Sequence, residues 1–537
     1  MKGQPYYWCE LEVAKLLNRQ ERHGVRFDKK KASFLVYVLT EEILKVDAEA
    51  IPQLPLMMHK ADAYARPFLK SGKLAKWPAL YCDTHGIPHD KVGGPFSRVW
   101  FTPFDMSKTD KIKRILIDHG WIPDEWNTKN LKDFDNDFDR DQWIDNYISK
   151  NFVEESSKHW KEVLLKALNF KGRRNRVALA NFLSEKRFIE TSPKITEDSL
   201  HTVDGTVGTL VKRRVMLSHR RSLIVGLLSK LRDDSKLEAG CNPCATPTFR
   251  ANYRVVVNIP AARSDYGKEI RSLFLPDNVG YSPCLLDAKP VEGTRVPHTN
   301  IILDPKGGRH PRKLLSLYDH VLVGSDASGL EARMLCHYMD DMEYTDMLLN
   351  GDIHSYNQQL AGLPTRDDAK TFFYALLYGA GDTKLGNIVG GGLSAGRQIR
   401  AEFMDKLPKY AALVKRLEKE AEGGYIEGLD GRPIRLRRDS EGKVQTHKVL
   451  NTLLQSAGAI VMKYGMIFLD HWVTSDQLEA WQVLWQHDET QWSCHKKDLE
   501  KFVHYANNYV RVAGEYLKMN IPLASDAIVG ANWYDTH

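Results

Sequence analysis

Val321-Leu322-Val323-Gly324-Ser325-Asp326-Ala327-Ser328-Gly329-Leu330-Glu331 is an apolar run that breaks on an aspartate, passes a glycine, and continues to Tyr338 with apolar residues at helical spacing. It reads as strand, turn, helix. Apolar side chains bury the strand, and its end carries a carboxylate into a cleft. A buried carboxylate without a partner is costly, so an aspartate placed this way is usually hydrogen-bonded or metal-bound. Alone the signal is weak, because many strand-end aspartates are caps or turn formers.

Two further segments give it weight. Pro364-Thr365 followed by Asp368 is a helix-start signature. From there Arg366, Lys370, Tyr374 and Tyr378 recur every four residues. On an α-helix they line one slowly drifting face, about 6 Å apart along the axis. The cations fall in the first turns, where the helix dipole also favours anions. The aromatics follow, where they can pack on a sugar and a base, so the order runs from triphosphate to nucleobase. The segment ends on Tyr378-Gly379-Ala380-Gly381, and no G-K-[ST] follows, which excludes a Walker-type loop. The third segment, Val483 to Trp492, is rich in strand-favouring residues but interrupted by His487-Asp488-Glu489. That is the pattern of a hairpin with function at its tip.

Together these residues suit nucleotidyl transfer. Two divalent ions roughly 3.5–4 Å apart activate an attacking hydroxyl and stabilise a leaving pyrophosphate. Magnesium takes carboxylates plus substrate phosphate oxygens, so two aspartates from different strands suffice. Lys370 and Arg366 would offset charge on the transferring phosphate.

The rest of the chain sets the frame. Its 537 residues, 42% hydrophobic, are enough for several domains. A net charge of +7 suits a basic groove without requiring one. Seven cysteines without a regular framework point to a reducing compartment. No apolar run approaches the roughly 18 residues of a membrane span, and the N-terminus lacks a secretory core. Residues 10–50 read as helical with a turn at 22–28. Residues 52–104 carry seven prolines and Gly93-Gly94 and read as an inserted loop-rich subdomain. Helical pattern returns at 108–119 and runs strongly from 155 to 233. Asp133 to Asp137 imitates a calcium loop but fails at Phe138 and Ile144. Cys241 and Cys244 form a lone C-x-x-C without a second pair. Lys212, Arg213, Arg214, Arg220, Arg221, Lys230 and Arg232 make a basic stretch, either a solvated face or a helix that tracks a phosphate backbone.

At this point the chain resembles family A DNA polymerases, in particular the replicative enzymes of short-tailed bacteriophages that use host thioredoxin. The similarity lies in 326–331, Asn350-Gly351-Asp352-Ile353-His354, 363–381, Gly428 to Arg432, Leu450 to Ala459, His487-Asp488-Glu489, and the close at Gly530-Ala531-Asn532-Trp533 and His537. The resemblance implies an α+β multidomain right hand. Its palm, an antiparallel sheet, would be built from 241–335 and 451–537, and its helical fingers from 336–450. A helical thumb with a palm-base helix would occupy 1–240. It implies that Asp326 and Asp488, with the carbonyl of Ala327, bind two Mg2+ (or Mn2+). Arg366, Lys370 and His354 would hold the triphosphate. Glu331, held by Tyr374, would exclude a ribose 2′-hydroxyl, and Tyr rather than Phe at 374 resembles the version that accepts dideoxynucleotides. Tyr378 and Gly381 would shape the template-base pocket. Arg250, Gln455, His487, Asn451 and Arg432 would contact primer-template DNA.

Two departures stand out. The family's Thr-Gly-Arg is here Thr248-Phe249-Arg250. Only about 18 residues precede the Arg19-Gln20-Glu21-Arg22-His23-Gly24 motif, and they hold no exonuclease D-x-E. The resemblance therefore leaves proofreading absent or supplied by a separate exonuclease subunit. (Asp47-Ala48-Glu49 has the letters but follows the motif, in a helical stretch.) The insertion at 52–104 stands where the phage relatives carry a thioredoxin-binding loop. It is shorter, so its processivity partner is thioredoxin, another protein, or none. Two rival readings are a single-subunit RNA polymerase, opposed by Glu331, and an inactive DNA-binding subunit, opposed by the intact Asp326, Lys370 and Asp488.

Overall fold

The computed structural model describes residues 5–123, 125–130, 188–197, 199–277, 319–438 and 444–537. These divide into two units, Met1–Leu35 with Leu223–His537, and Val36–Ser222. The chain thus divides near 35 and 222 rather than at 240, and the first 35 residues belong with the larger unit.

Helix α1 (Pro5–His23) opens the larger unit. Its central sheet is antiparallel, in the order β2-β3-β1-β4, from β1 (His320–Ala327), β2 (Ala480–Gln486), β3 (Glu489–His495) and β4 (Ser525–Gly530). Every residue of β1 is buried except Asp326, which is why its sequence is a continuous apolar run rather than an alternating one. Between β1 and β2 the chain makes a helical lobe: α2 (Leu330–Met339), α3 (Met342–Asn350), α4 (Ile353–Ala361), α5 (Arg366–Leu377), α6 (Asp382–Ile388), α7 (Gly392–Lys406) and α8 (Pro408–Glu420). A short hairpin, Tyr425–Glu427 with Pro433–Arg435, leads to α9 (Val449–Ser475). A Cβ at Gly386 would lie 1.6 Å from the Gly392 carbonyl oxygen, and one at Gly396 would lie 1.7 Å from that of Asp382. Only glycine lets α6 and α7 approach so closely.

α9 is long and apolar enough to cross a membrane, but 83% of its most apolar window is buried in this protein. It is a core helix, packed against α1 and α2.

In the smaller unit, residues 52–104 are more ordered than their prolines and glycines imply. Met57–Tyr64 pairs with Phe96–Thr102, and helix Lys76–Thr84 lies between them in the chain. Prolines at strand edges and helix starts do not break such elements. Phe188–Lys194, expected to be helical, pairs as a strand with Glu125–Asn130. Among the described residues that follow, a short helical turn at Ser199–Thr202 leads to the helix Thr206–Leu228. The calcium-like stretch at 133–144 lies outside the described residues. Much of the basic stretch is bound internally: Arg213 pairs with Glu42, Arg214 with Asp47, Arg220 with Glu197, and Arg232 with Asp234. Asp47 is therefore an ion-pair acceptor in its helix.

Candidate active site

The turn between β2 and β3 is His487-Asp488. His487 adopts φ +58°, left-handed backbone that a non-glycine residue rarely takes. Three contacts hold it there. Trp485 Nε1 donates to its carbonyl at 2.9 Å, its own N–H donates to Tyr253 Oη at 2.6 Å, and the two rings meet edge to face at 5.4 Å. The Ala327 N–H donates to the Asp488 carbonyl at 3.0 Å. The two aspartates, 162 positions apart in the chain, thus stand side by side at the ends of neighbouring strands.

Their charge is only partly offset, by Arg250 at Asp488 and by His537 at Asp326. Lost hydration, then Asp488 and Glu489, push the Asp326 carboxyl up to about 7. Burial, then Glu331, pushes Asp488 up to about 6. Among the described residues no group of three or more acidic, histidine or cysteine side chains forms a self-contained metal cage. A pair of under-compensated carboxylates fits magnesium, which takes one or two carboxylates and completes its shell with water and substrate phosphate. The neighbouring acids do other work. Glu489 is buried and accepts from Trp533 Nε1 at 2.7 Å and Gln491 Nε2 at 2.5 Å. His537 Nδ1 lies 3.2 Å from its other oxygen. The C-terminal residues close over β1 at Gly324, where a Cβ would lie 2.6 Å from the Thr536 carbonyl oxygen. Asp526 pairs in register with Asp326 and accepts from Ser328 Oγ at 2.8 Å.

α5 forms a second wall. Thr365 caps it, its Oγ1 accepting the Asp368 N–H at 3.0 Å and donating to Asp368 Oδ2 at 2.6 Å. Arg366 and Lys370 are exposed, and Tyr374 stacks on Tyr378 with centroids 6.4 Å apart. Arg366 donates to Asp352 through Nε at 2.7 Å and Nη2 at 3.1 Å. Asp352 also caps α4, accepting the N–H groups of His354 and Ser355. The Arg366 guanidinium holds its carboxyl well below the usual range. One carboxylate thereby joins the two helix starts. Partial burial, then Arg366 and Lys370, lower the affinity of His354 for a proton. Its ring lies 6.0 Å from that of Tyr374. Arg366, Lys370, His354 and Tyr374 are thus gathered as the sequence reading requires. The link through Asp352 was not read from the sequence, although an aspartate one residue before a helix is a recognisable cap signal.

Glu331 connects the two walls. It accepts from Arg250 Nη2 at 2.7 Å and from Tyr378 Oη at 3.4 Å. The sequence reading gave this role to Tyr374. In the structure Tyr374 is half-buried, one turn before Tyr378, and Tyr378 at the helix end is the tyrosine bonded to the carboxylate. Arg250, Ala251, Leu330, Gly458, His487 and Asp488 line a narrow pocket here. Asn451 Nδ2 donates to the Tyr378 carbonyl at 3.2 Å, capping the end of α5. Gln455 lies half-buried one turn further along α9, and Gly381 starts α6 with open space around its Cα.

Arg432 is a correction. It is 1% exposed, gripped by Asp430 at 2.8 and 2.7 Å, bonded to Glu10, and set against the Phe249 ring at 4.8 Å. It is a core cation and has no surface to offer DNA. Cys244 shares Glu10 with Arg432. Burial pushes the Cys241 and Cys244 thiols up to about 12 and about 11, and Cys244 donates to Glu10 at 3.0 Å.

A paired-carboxylate sheet beside a cationic, aromatic helix is the layout of a nucleotidyl-transferring enzyme. Residues 297–535 match the profile of DNA polymerase family A. The chain is 39% identical to the DNA-directed DNA polymerase of Escherichia phage Phieco32, over 99% of each chain. It is 27% and 26% identical to those of Enterobacteria phage T3 and Escherichia phage T7, covering 98% of this chain and 69% of theirs. Among solved structures, the POL domain of Pol1 from M. smegmatis, in complex with DNA primer-template and dNTP, superposes with a TM-score of 0.60 at 15% identity. That match covers 98% of this chain and 70% of the other. The chain belongs to DNA polymerase family A. It is a template-directed DNA polymerase of the kind carried by phages, and the family uses divalent metal.

Proposed function

We propose that this polymerase extends a primer 3′-hydroxyl with dNTPs by two-metal-ion nucleotidyl transfer, during phage replication in the cytoplasm of a bacterial host. The observation that carries this reading is the adjacency of Asp326 and Asp488, tied by the Ala327–Asp488 hydrogen bond and only partly offset by Arg250 and His537.

In this reading Asp326, Asp488 and the Ala327 carbonyl hold two Mg2+, with Mn2+ as a substitute. When bound, such ions make the primer hydroxyl a better nucleophile and offset the charge of the leaving pyrophosphate. The chain's own residues bind and orient. Lys370, exposed and without an acidic partner among the described residues, takes the triphosphate. Arg366, pre-oriented by Asp352, and His354, whose affinity for a proton is lowered by burial and then by Arg366 and Lys370, assist it. Glu331 bars the 2′-hydroxyl, and Tyr374 packs on the sugar. Tyr378 and Gly381 border the template base, with Asn451 acting through Tyr378. Arg250, Gln455 and His487 meet the primer terminus.

Primer extension on a defined template tests this. Incorporation should require divalent metal, prefer dNTPs to rNTPs, and vanish in Asp326→Ala and Asp488→Ala. Full activity in Asp488→Ala would sink the mechanism. We also propose that these 537 residues contain no 3′–5′ exonuclease, so a separate subunit would supply any proofreading. Metal-dependent dNMP release by the purified chain would contradict this. A processivity partner such as host thioredoxin at 52–104 should lengthen products under single-hit conditions. Equal lengths with and without thioredoxin would leave that role to another protein or to the insertion itself.

A further inference from the structure

The turn that presents Arg250 to Glu331 is built around an unusual residue. Phe249 adopts φ +58°, a left-handed conformation in which a bulky side chain is strained. Its N–H donates to the Thr246 carbonyl at 3.0 Å, and Thr246 Oγ1 donates to the Arg250 carbonyl at 3.0 Å, closing a tight loop. The ring is held by cations: the Arg432 guanidinium lies 4.8 Å and the Lys463 ammonium 5.6 Å from its centroid. Both cations are buried, and both are anchored on Glu10 of α1. A desolvated cation over an aromatic face attracts the ring more strongly than an exposed one does, and two such contacts offset a strained backbone. The next residue, Arg250, reaches Glu331 at 2.7 Å, and Glu331 also receives Tyr378.

We propose that Phe249 is a positioning residue for sugar selection: its ring, held against Arg432 and Lys463, locks the turn that aims Arg250 at Glu331. The chain of contact then runs from the buried charge network to the carboxylate that meets the incoming sugar. This rests on the role proposed above for Glu331.

The test measures kcat/KM for a dNTP and its matching rNTP in full-length Phe249→Gly, Phe249→Leu, Phe249→Tyr and Glu331→Ala. Glycine relieves the strain but removes the ring's packing, so Phe249→Gly should fold with a lowered Tm, and selectivity is measured below it. Its dNTP preference should fall by about tenfold, the order expected from loosening one charge-assisted hydrogen bond. Phe249→Leu keeps the bulk but not the ring's quadrupole and should lose a similar factor, whereas Phe249→Tyr should restore selectivity. A folded Phe249→Gly with wild-type selectivity would overturn the proposal, as would equal behaviour of the Leu and Tyr variants. If Glu331→Ala lowers selectivity while Phe249→Gly does not, this inference alone fails. If Glu331→Ala leaves selectivity unchanged, the role assigned to Glu331 fails first.

Discussion

Replacing Asp488 with asparagine should make the metal-free protein more stable at neutral pH while destroying its activity. Asp488 sits beside Asp326 in a partly buried turn, where burial and Glu331 hold its carboxyl up at about 6 against an ordinary 3.8. A gap of about two units corresponds to roughly 3 kcal/mol. Partial exposure and solvent screening reduce this to about 1–2 kcal/mol. The sign follows from which state binds the proton more tightly. With the folded value raised, the contribution is fully present below the unfolded pKa and is lost as pH rises through the folded one. Asp326, raised to about 7, acts in the same direction. In chelator, wild-type stability should therefore decline between about pH 4 and pH 7, and the Asp488→Asn curve should be flatter and lie above it at pH 8. Magnesium should stabilise the wild type and leave the variant unmoved if, as proposed, only the intact pair binds the ion. Urea denaturation across pH, with and without magnesium, gives the curves, and primer extension should fall by at least about 10²-fold. Parallel curves in chelator, or equal stabilisation of both proteins by magnesium, would refute the reasoning.

Lys370→Ala should lower single-turnover incorporation by about 10²-fold and shift stability by less than about 0.5 kcal/mol, because the side chain is exposed. Asp352→Ala removes a helix cap and unfastens Arg366, so steady-state kinetics should show a raised KM for dNTP with little change in kcat. Tyr374→Phe should reduce dideoxynucleotide use relative to dNTP by about tenfold or more in competition assays, if, as proposed, the Tyr374 ring packs on the sugar and its hydroxyl meets it. Arg432→Ala should destabilise the fold by about 3–5 kcal/mol in denaturant titrations, because it strands Asp430 as a buried charge, while Glu10 keeps Lys463. The folded fraction should bind primer-template as the wild type does.

The sequence carried the site where one local rule decided the outcome. The buried run before Asp326 could only be an interior strand, and the four-residue recurrence from Arg366 to Tyr378 could only be one helix face. The polar interruption at His487-Asp488 could only be a tip between strands. What it did not carry was set by partners far away in the chain. Arg432 looks like any basic residue in a glycine-rich turn until Glu10, more than four hundred residues earlier, is found against it. The partner of Glu331 turns on which of two tyrosines, one helical turn apart, ends nearer the carboxylate. A four-residue period places both on the same face and cannot separate them. Phe188–Lys194 continued an apolar spacing compatible with helix, and only its pairing with Glu125–Asn130 made it a strand. In each of these cases the error lay in the choice of partner and not in the residue's local chemistry. The Phe249 inference is the same kind of statement: no local rule predicts a phenylalanine in left-handed backbone, and its explanation lies in two cations from residues 432 and 463 that the fold brings onto its ring.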